Sequence, residues 1–261
     1  MDILEQLAAK ARQRTEEKKK LVPFEEMRAA AYAAAGNGFP FEEALGKEGL
    51  SFICECKKAS PSKGIIADDY DPCRIAKEYE KAGADAVSVL TEPAWFLGSD
   101  DHLRRIVRQV SIPVLRKDFT VDAYMIYEAK LLGASAVLLI VSLLGEETIR
   151  EWIAIADDLG LSCLVETHDE KEIAIALKAG ARIIGVNNRN LRDFTVDVSN
   201  SLRLREAAGK DVLFVAESGI RTREDIKVLE QGGIDAVLIG ETLMRSTDKT
   251  KALKELKGER T

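Results

Sequence analysis

Apolar residues in this 261-residue chain gather into eight short runs, each closed by a polar or glycine-bearing tail. They read SFICECKKAS (51–60), AVSVLTE (86–92), PVLRKDF (113–119), AVLLIVS (136–142), SCLVETH (162–168), IIGVNNR (183–189), VLFVAES (212–218) and AVLIGET (236–242). Measured from Ile53, Val87, Val114, Val137, Leu164, Ile183, Leu213 and Val237, neighbouring runs lie 19 to 34 residues apart. That interval holds one strand, one helix and two short loops, the unit of a parallel sheet. Eight such units close into a (β/α)8 barrel, an α/β fold whose chemistry sits at the C-terminal ends of the strands. An open doubly wound sheet also fits the spacing, but no GxGxxG fingerprint follows the first run.

The intervals read as helices with recognisable starts. Asp71-Pro72, Ser99 or Asp100, Asp122, Glu146 or Glu147, His168-Asp169, Asn200, Thr222, and Ser246 or Thr247 are each expected to open one. KAGADAVSVL, LLGASAVLLI, KAGARIIGVN and QGGIDAVLIG repeat a lead-in loop before every second strand, with Gly83, Gly133, Gly180 and Gly233 separated by 50, 47 and 53 residues. Residues 1–48 fall outside the repeat. Helical patterns at 2–20 and 24–35, a Gly/Phe/Pro break at 36–41 and then FEEAL predict a helical extension packed on a barrel of residues 49–261. The extension is too short for a core of its own.

Composition narrows the function. A net charge of −6 disfavours nucleic acid, which needs a basic stripe. Lys18-Lys19-Lys20 follows Glu16-Glu17 and reads as a solvated helix end. No apolar run approaches the ~18–20 residues that span a bilayer. The start MDILEQLAAKARQR is amphipathic and unlike a signal peptide, so a cytoplasmic location is expected. Strand alternation puts Cys54 and Cys56 on one face and Glu55 and Lys57 on the other. No second Cys or His pair offers a metal site, so the thiols read as packing, and acid–base work falls to Lys and Glu.

Those groups cluster at the strand tails: Glu55, Lys57, Lys117, Glu166, Asn187, Arg189, Glu217 and Ser218. In one mouth, Lys57 and Lys117 would push each other's proton affinity down while the glutamates oppose that; a lysine brought toward neutrality can act as a general acid and a partly desolvated glutamate as a base. Ser218-Gly219-Ile220 and Gly240-Glu241-Thr242, after the seventh and eighth strands, have the makings of a phosphate handle. Ser60-Pro61-Ser62-Lys63-Gly64 reads as a flexible lid.

FICECKKASPSKG, VLRKDF, LLGASAVLLI, LVETHD, IIGVNNRNL, VAESGI and LIGETLM together resemble the indole-3-glycerol phosphate synthase family, barrel lyases of tryptophan biosynthesis, over about residues 50–245. The resemblance implies ring closure, decarboxylation and dehydration of 1-(2-carboxyphenylamino)-1-deoxyribulose 5-phosphate. It implies Lys117 as general acid at the ketone and Glu166 as base for the loss of water. Lys57, oriented by Glu55, would pair with anionic groups or donate a proton itself. Asn187 would hold a sugar hydroxyl, Arg189 the carboxylate, and Ser218, Gly219, Gly240 and the amide of Glu241 the phosphate. Phe119, Leu138 and Leu191 would line the aromatic pocket, Ser60 the lid position, and Glu217 would close the polar network. Glu241 stands where some relatives carry serine, so its side chain is expected to turn from the phosphate. EPAWF leaves open whether Trp95 or Phe96 supplies the second loop's aromatic contact. The arylamine nitrogen is an internal electron sink, so no cofactor is expected. The expected partners are a phosphorylated small molecule and other tryptophan-pathway enzymes. Rival readings are another phosphate-binding barrel, such as phosphoribosylanthranilate isomerase or a sugar-phosphate epimerase, or an inactive barrel binder.

Overall fold

The eight runs form eight parallel strands in a computed structural model that describes residues 3–36, 38–190 and 194–259. These are β1 (Ser51–Cys56), β2 (Ala86–Leu90), β3 (Val114–Lys117), β4 (Ala136–Ile140), β5 (Ser162–Thr167), β6 (Ile183–Asn187), β7 (Leu213–Glu217) and β8 (Ala236–Ile239). Each pairs with its neighbours in sequence, and β8 returns to β1 with Ser51 opposite Ala236, so the sheet is a closed barrel. Period-two alternation sorts the side chains. Ile53, Leu115, Leu164 and Val215 fill the barrel interior, while Phe52, Cys54, Cys56 and Val89 pack outward against the helices. Burial raises the thiols of Cys54 and Cys56, as befits packing groups.

Three helices precede the barrel: α1 (Ile3–Leu21), α2 (Phe24–Ala33) and α3 (Pro40–Leu45). Around it follow α4 (Pro72–Lys81), α5 (Asp100–Val107), α6 (Tyr124–Leu132), α7 (Val141–Asp158), α8 (Glu170–Ala179) and α9 (Ser199–Ala208). The series ends with α10 (Arg223–Gln231), α11 (Glu241–Arg245) and α12 (Lys249–Lys257). Asp71, Ser99, Asp169 and Thr222 cap their helices as expected.

Four starts differ from the sequence reading. Asp122 accepts from Tyr124 N at 2.9 Å but lies one residue before the N-cap, Ala123. Asp197, not Asn200, braces the start of α9 by accepting from Ser199 N, and Asp248, not Ser246 or Thr247, caps α12. The start expected at Glu146 or Glu147 is the second half of α7, which begins directly at the end of β4 and breaks at Gly145 with φ 75°. The apolar run continues across the strand–helix junction, so no polar residue marks it. The repeated lead-in loop is real: Gly83, Gly133, Gly180 and Gly233 all adopt left-handed φ between 71° and 91°.

The N-terminal helices close both ends of the barrel. At the N-terminal end, Phe41 and Leu45 of α3 join the inner cluster, and Ser51 Oγ donates to Ala44 O. At the C-terminal mouth, Leu7 and Ala11 of α1 are buried in the same cluster as Phe119 and Leu138. Arg14 grips both carboxylate oxygens of Asp118, at 2.8 and 2.7 Å, and Lys19 pairs with Asp122. Among the described residues no helix is long and apolar enough to cross a membrane.

Candidate active site

Strands β1, β3, β5 and β7 each place one charged side chain inside the barrel: Glu55, Lys117, Glu166 and Glu217. Each stands two residues beyond an interior apolar residue of its own strand, so the four form a single layer above Ile53, Leu115, Leu164 and Val215. The layer is nearly dry, with Glu55, Glu166 and Glu217 only 4%, 2% and 2% exposed. Lys117 Nζ lies 3.4 Å from Glu166 Oε2 and 3.4 Å from Glu217 Oε2, and Lys57 Nζ lies 2.5 Å from Glu55 Oε1. The intervening strands are bare here of necessity. A Cβ on Gly240, just beyond β8, would come within 2.3 Å of Glu55 Oε1.

The electrostatics decide between the two opposing effects expected at the lysines. Burial disfavours the ammonium of Lys117, but Glu217, Glu166 and Glu55 outweigh it and raise its proton affinity above that of an ordinary lysine. Mutual lowering by Lys57 does not govern, because three carboxylates surround Lys117 and Lys57 is paired with Glu55. Burial also opposes the charged form of Glu166, yet Lys117, His168 and a hydrogen bond from Asn187 hold its carboxyl below the usual range. Glu217 goes the other way: burial, reinforced by Glu166 and Glu55 and opposed by Lys117, pushes it up to about 7. Its Oε1 has no hydrogen-bond partner among the described residues. One layer therefore holds a fixed ammonium, a fixed carboxylate and a carboxyl that titrates near neutrality.

The residues expected from the sequence converge. Glu55, Lys57, Ser60, Lys117, Phe119, Leu138, Glu166, Asn187, Arg189, Glu217, Ser218, Gly219, Gly240 and Glu241 all line one cavity of about 470 Å³. Leu191 lies outside the described residues. The loop at 60–64 is a small β-hairpin, Ala59–Ser60 against Gly64–Ile65, more regular than its composition suggests. Phe96, not Trp95, enters the cavity, with its ring centroid 6.1 Å from that of Phe119. Glu92 sets that loop by accepting from the backbone N–H groups of Ala94, Trp95 and Phe96.

Opposite the apolar wall, Ser218 and Gly219 both adopt left-handed conformations, with φ of 68° and 86°. Such strain in a non-glycine residue belongs to sites where backbone must meet a ligand. Thr242 Oγ1 donates to Ile220 O at 2.6 Å and ties the β7 and β8 loops together. The Glu241 carboxylate reaches Arg245 Nε at 3.1 Å, Arg189 Nη2 at 3.5 Å and Lys63 Nζ at 3.9 Å. Burial and these cations act on it in opposite directions, and the cations hold it below the usual range.

Sequence reasoning missed Ile3 and Leu7 of α1, and Phe194 and Arg245, all of which line the cavity. The stripe Ile3, Leu7, Ala11 was legible as a buried helix face, but nothing local says what it covers. His168 was read as a helix start, yet its Nε2 faces Glu166.

The model of the family described as indole-3-glycerol phosphate synthase matches residues 4–256. A protein of that name from Ruminiclostridium cellulolyticum is 56% identical over 98% of this chain and 99% of its own length. Another of the same name, from Lachnoclostridium phytofermentans, is 51% identical over 98% of each chain. Among solved structures, a 3-hexulose-6-phosphate synthase matches 80% of this chain and 99% of its own with a TM-score of 0.66. At 14% identity that likeness speaks to the barrel fold alone. The matched span includes every strand and the whole charged layer, and on it the chain belongs to the indole-3-glycerol phosphate synthase family.

Proposed function

We propose that the chain converts 1-(2-carboxyphenylamino)-1-deoxyribulose 5-phosphate into indole-3-glycerol phosphate, CO2 and water. One observation carries the mechanism: an ammonium, Lys117, lies 3.4 Å from two carboxyls whose proton affinities are driven apart. The substrate's aryl ring lies against Phe119, Leu138 and Phe96, its phosphate on the Ser218-Gly219 and Gly240-Glu241 backbone, and its carboxylate near Arg189. Ser60 borders it from the hairpin.

Lys117 gives its proton to the ketone oxygen as the carboxylate-bearing ring carbon attacks the carbonyl carbon. The arylamine nitrogen becomes iminium-like and accepts the electron pair released when CO2 leaves. The new hydroxyl then departs as water with a second proton, for which Lys57, oriented by Glu55, is the donor. Glu166 removes the C–H proton whose loss restores aromaticity, while Asn187 holds the sugar hydroxyl. Two protons given and one taken balance the negative charge of the lost carboxylate. Glu217, whose carboxyl is pushed up to about 7, exchanges a proton near neutral pH and keeps Lys117 aligned. Positioned proton transfer contributes roughly 10²–10⁴-fold, so holding a flexible substrate folded supplies much of the rest.

The extension at residues 1–48 belongs to the same catalytic unit, since α1 supplies Ile3 and Leu7 to the cavity wall. Association with the tryptophan-pathway enzymes that make the substrate and consume the product, in the cytoplasm, completes the proposal. The test mixes purified protein with the carboxyphenylamino-deoxyribulose phosphate and follows indole fluorescence with and without chelator. A rise that survives chelation is expected; no rise, from a protein that still binds the substrate, overturns the reading.

A further inference from the structure

Glu166 has a partner, His168, that does not line the active-site cavity. Its Oε2 faces Lys117 at 3.4 Å, whereas its Oε1 takes Asn187 Nδ2 at 3.3 Å and lies 3.5 Å from His168 Nε2. That nitrogen is buried and makes no hydrogen bond among the described residues, so its nearest charged neighbour is the Glu166 carboxylate. The ring is held from behind. Glu172 Oε2, one turn into α8, lies 3.0 Å from His168 Nδ1 and accepts the His168 backbone N–H at 2.8 Å. His168 and Glu172 border a second, polar cavity of about 600 Å³ that also meets Asn187. His168 thus stands in the wall between the two cavities.

We propose that His168 is a positioning residue for Glu166: Glu172 clamps the imidazole, which presents a cationic edge to Glu166 Oε1 from the side opposite Lys117. The proposal rests on the reading of Glu166 as the base. A carboxylate flanked by cations on both oxygens stays ionised in a dry layer and is fixed in the rotamer that faces substrate. The surroundings of His168 favour its charged form. Burial opposes the imidazolium, but Glu172, Glu166 and Glu217 together raise its affinity for the proton. Asp169 at the start of α8, Asp197 before α9 and Glu5 of α1 are the other carboxylates that line this second cavity. Lys117, beyond Glu166, is the opposing cation.

Two measurements on the intact chain test this. With only His102 and His168 to resolve, imidazole NMR titration follows each ring, assigned through His102→Gln. His168 should titrate above an ordinary histidine and drop in Glu166→Gln and in Glu172→Gln, both isosteric changes. An unchanged His168 titration in Glu166→Gln overturns the coupling, with no reference to activity. In the kinetic arm, His168→Gln keeps a donor near the Nε2 position but removes the charge. Glu166 then loses a stabilising cation, so the acid limb of kcat/KM should move up by about half to one pH unit with KM little changed. A limb superimposable on wild type overturns the proposal even if turnover falls, since a merely structural role would lower turnover without moving the limb. Wild-type turnover in Glu166→Gln would instead sink the assignment of Glu166 as base, a failure separate from that of the titration.

Discussion

Glu217 occupies the space that a side chain at residue 185 would fill: a Cβ on Gly185 would sit 2.2 Å from Glu217 Oε1 and 3.1 Å from Leu164 Cδ1. Gly185→Ala should therefore swing Glu217 off Lys117 rather than perturb the surface. Forcing a methyl into such a layer costs about 1–3 kcal/mol of stability. Turnover should fall tenfold or more while phosphate binding holds, as read by indole fluorescence and phosphate inhibition. Normal turnover in this variant would show that Glu217 is not required where it stands.

Lys117→Met keeps the length of the side chain and removes the charge that Glu166 and Glu217 share. Turnover should drop by roughly 10²-fold or more, the scale of a lost general acid. The fold should survive, because methionine fills the space and both carboxyls can protonate. Circular dichroism separates loss of chemistry from loss of fold, and near-normal turnover would remove Lys117 from the acid role.

The raised affinity of Glu217 makes a stability prediction with a definite sign. Between its ordinary value of 4.5 and about 7, the folded chain keeps a proton here that the unfolded chain has released. Stability therefore falls as pH rises through that window, by at most about 1.4 kcal/mol per unit from this group. Glu217→Gln removes the term. Wild type should lose more thermal stability than Glu217→Gln between pH 5 and 8, and parallel melting curves would contradict the assignment.

The barrel was legible because each strand needs an apolar run and each run carries its own polar tail. Glu166 and Asn187 could be placed in the mouth from strand alternation and order alone, whereas Phe119 came only with the family resemblance. The charge state of Lys117 could not. It depends on Glu217 and Glu166 arriving within 3.4 Å from strands 49 or more residues away, which no local pattern reports. The start of α7 was hidden for the opposite reason, since an apolar run serves strand and buried helix alike. The role of α1 needed three dimensions: its stripe predicts burial, and only the fold shows that the buried face covers the mouth.

Arg14 is the clasp of that cover. It donates to both oxygens of Asp118, which also accept from Thr91 Oγ1 and the Phe119 backbone N–H. Arg14→Met leaves Asp118 buried with one strong partner fewer, at about 1–3 kcal/mol. The melting temperature should fall, and KM should rise as Ile3 and Leu7 loosen over the cavity. A variant with unchanged KM would mean that α1 is held by its apolar face alone.

Glu241 puts a negative charge among the cations that an anionic substrate needs. It lies 3.5 Å from Arg189, 3.1 Å from Arg245 and 3.9 Å from Lys63, on the loop whose backbone is assigned to the phosphate. With the site empty, this carboxylate keeps three basic side chains from repelling one another. With phosphate present, it repels the ligand and competes for the same donors. Two effects oppose each other in Glu241→Ser: the basic groups lose an organiser, and the phosphate loses a like-charged neighbour. Direct repulsion should win, because Lys63 and Arg245 are already half-exposed to solvent and need little compensation. Inorganic phosphate should therefore inhibit Glu241→Ser about three- to tenfold more tightly than wild type, and KM for the substrate should fall. The difference should shrink with added salt, as screening weakens charges at this distance from bulk water. Weaker phosphate inhibition in Glu241→Ser would reverse the ranking and make Glu241 an organiser of the handle rather than a brake on it.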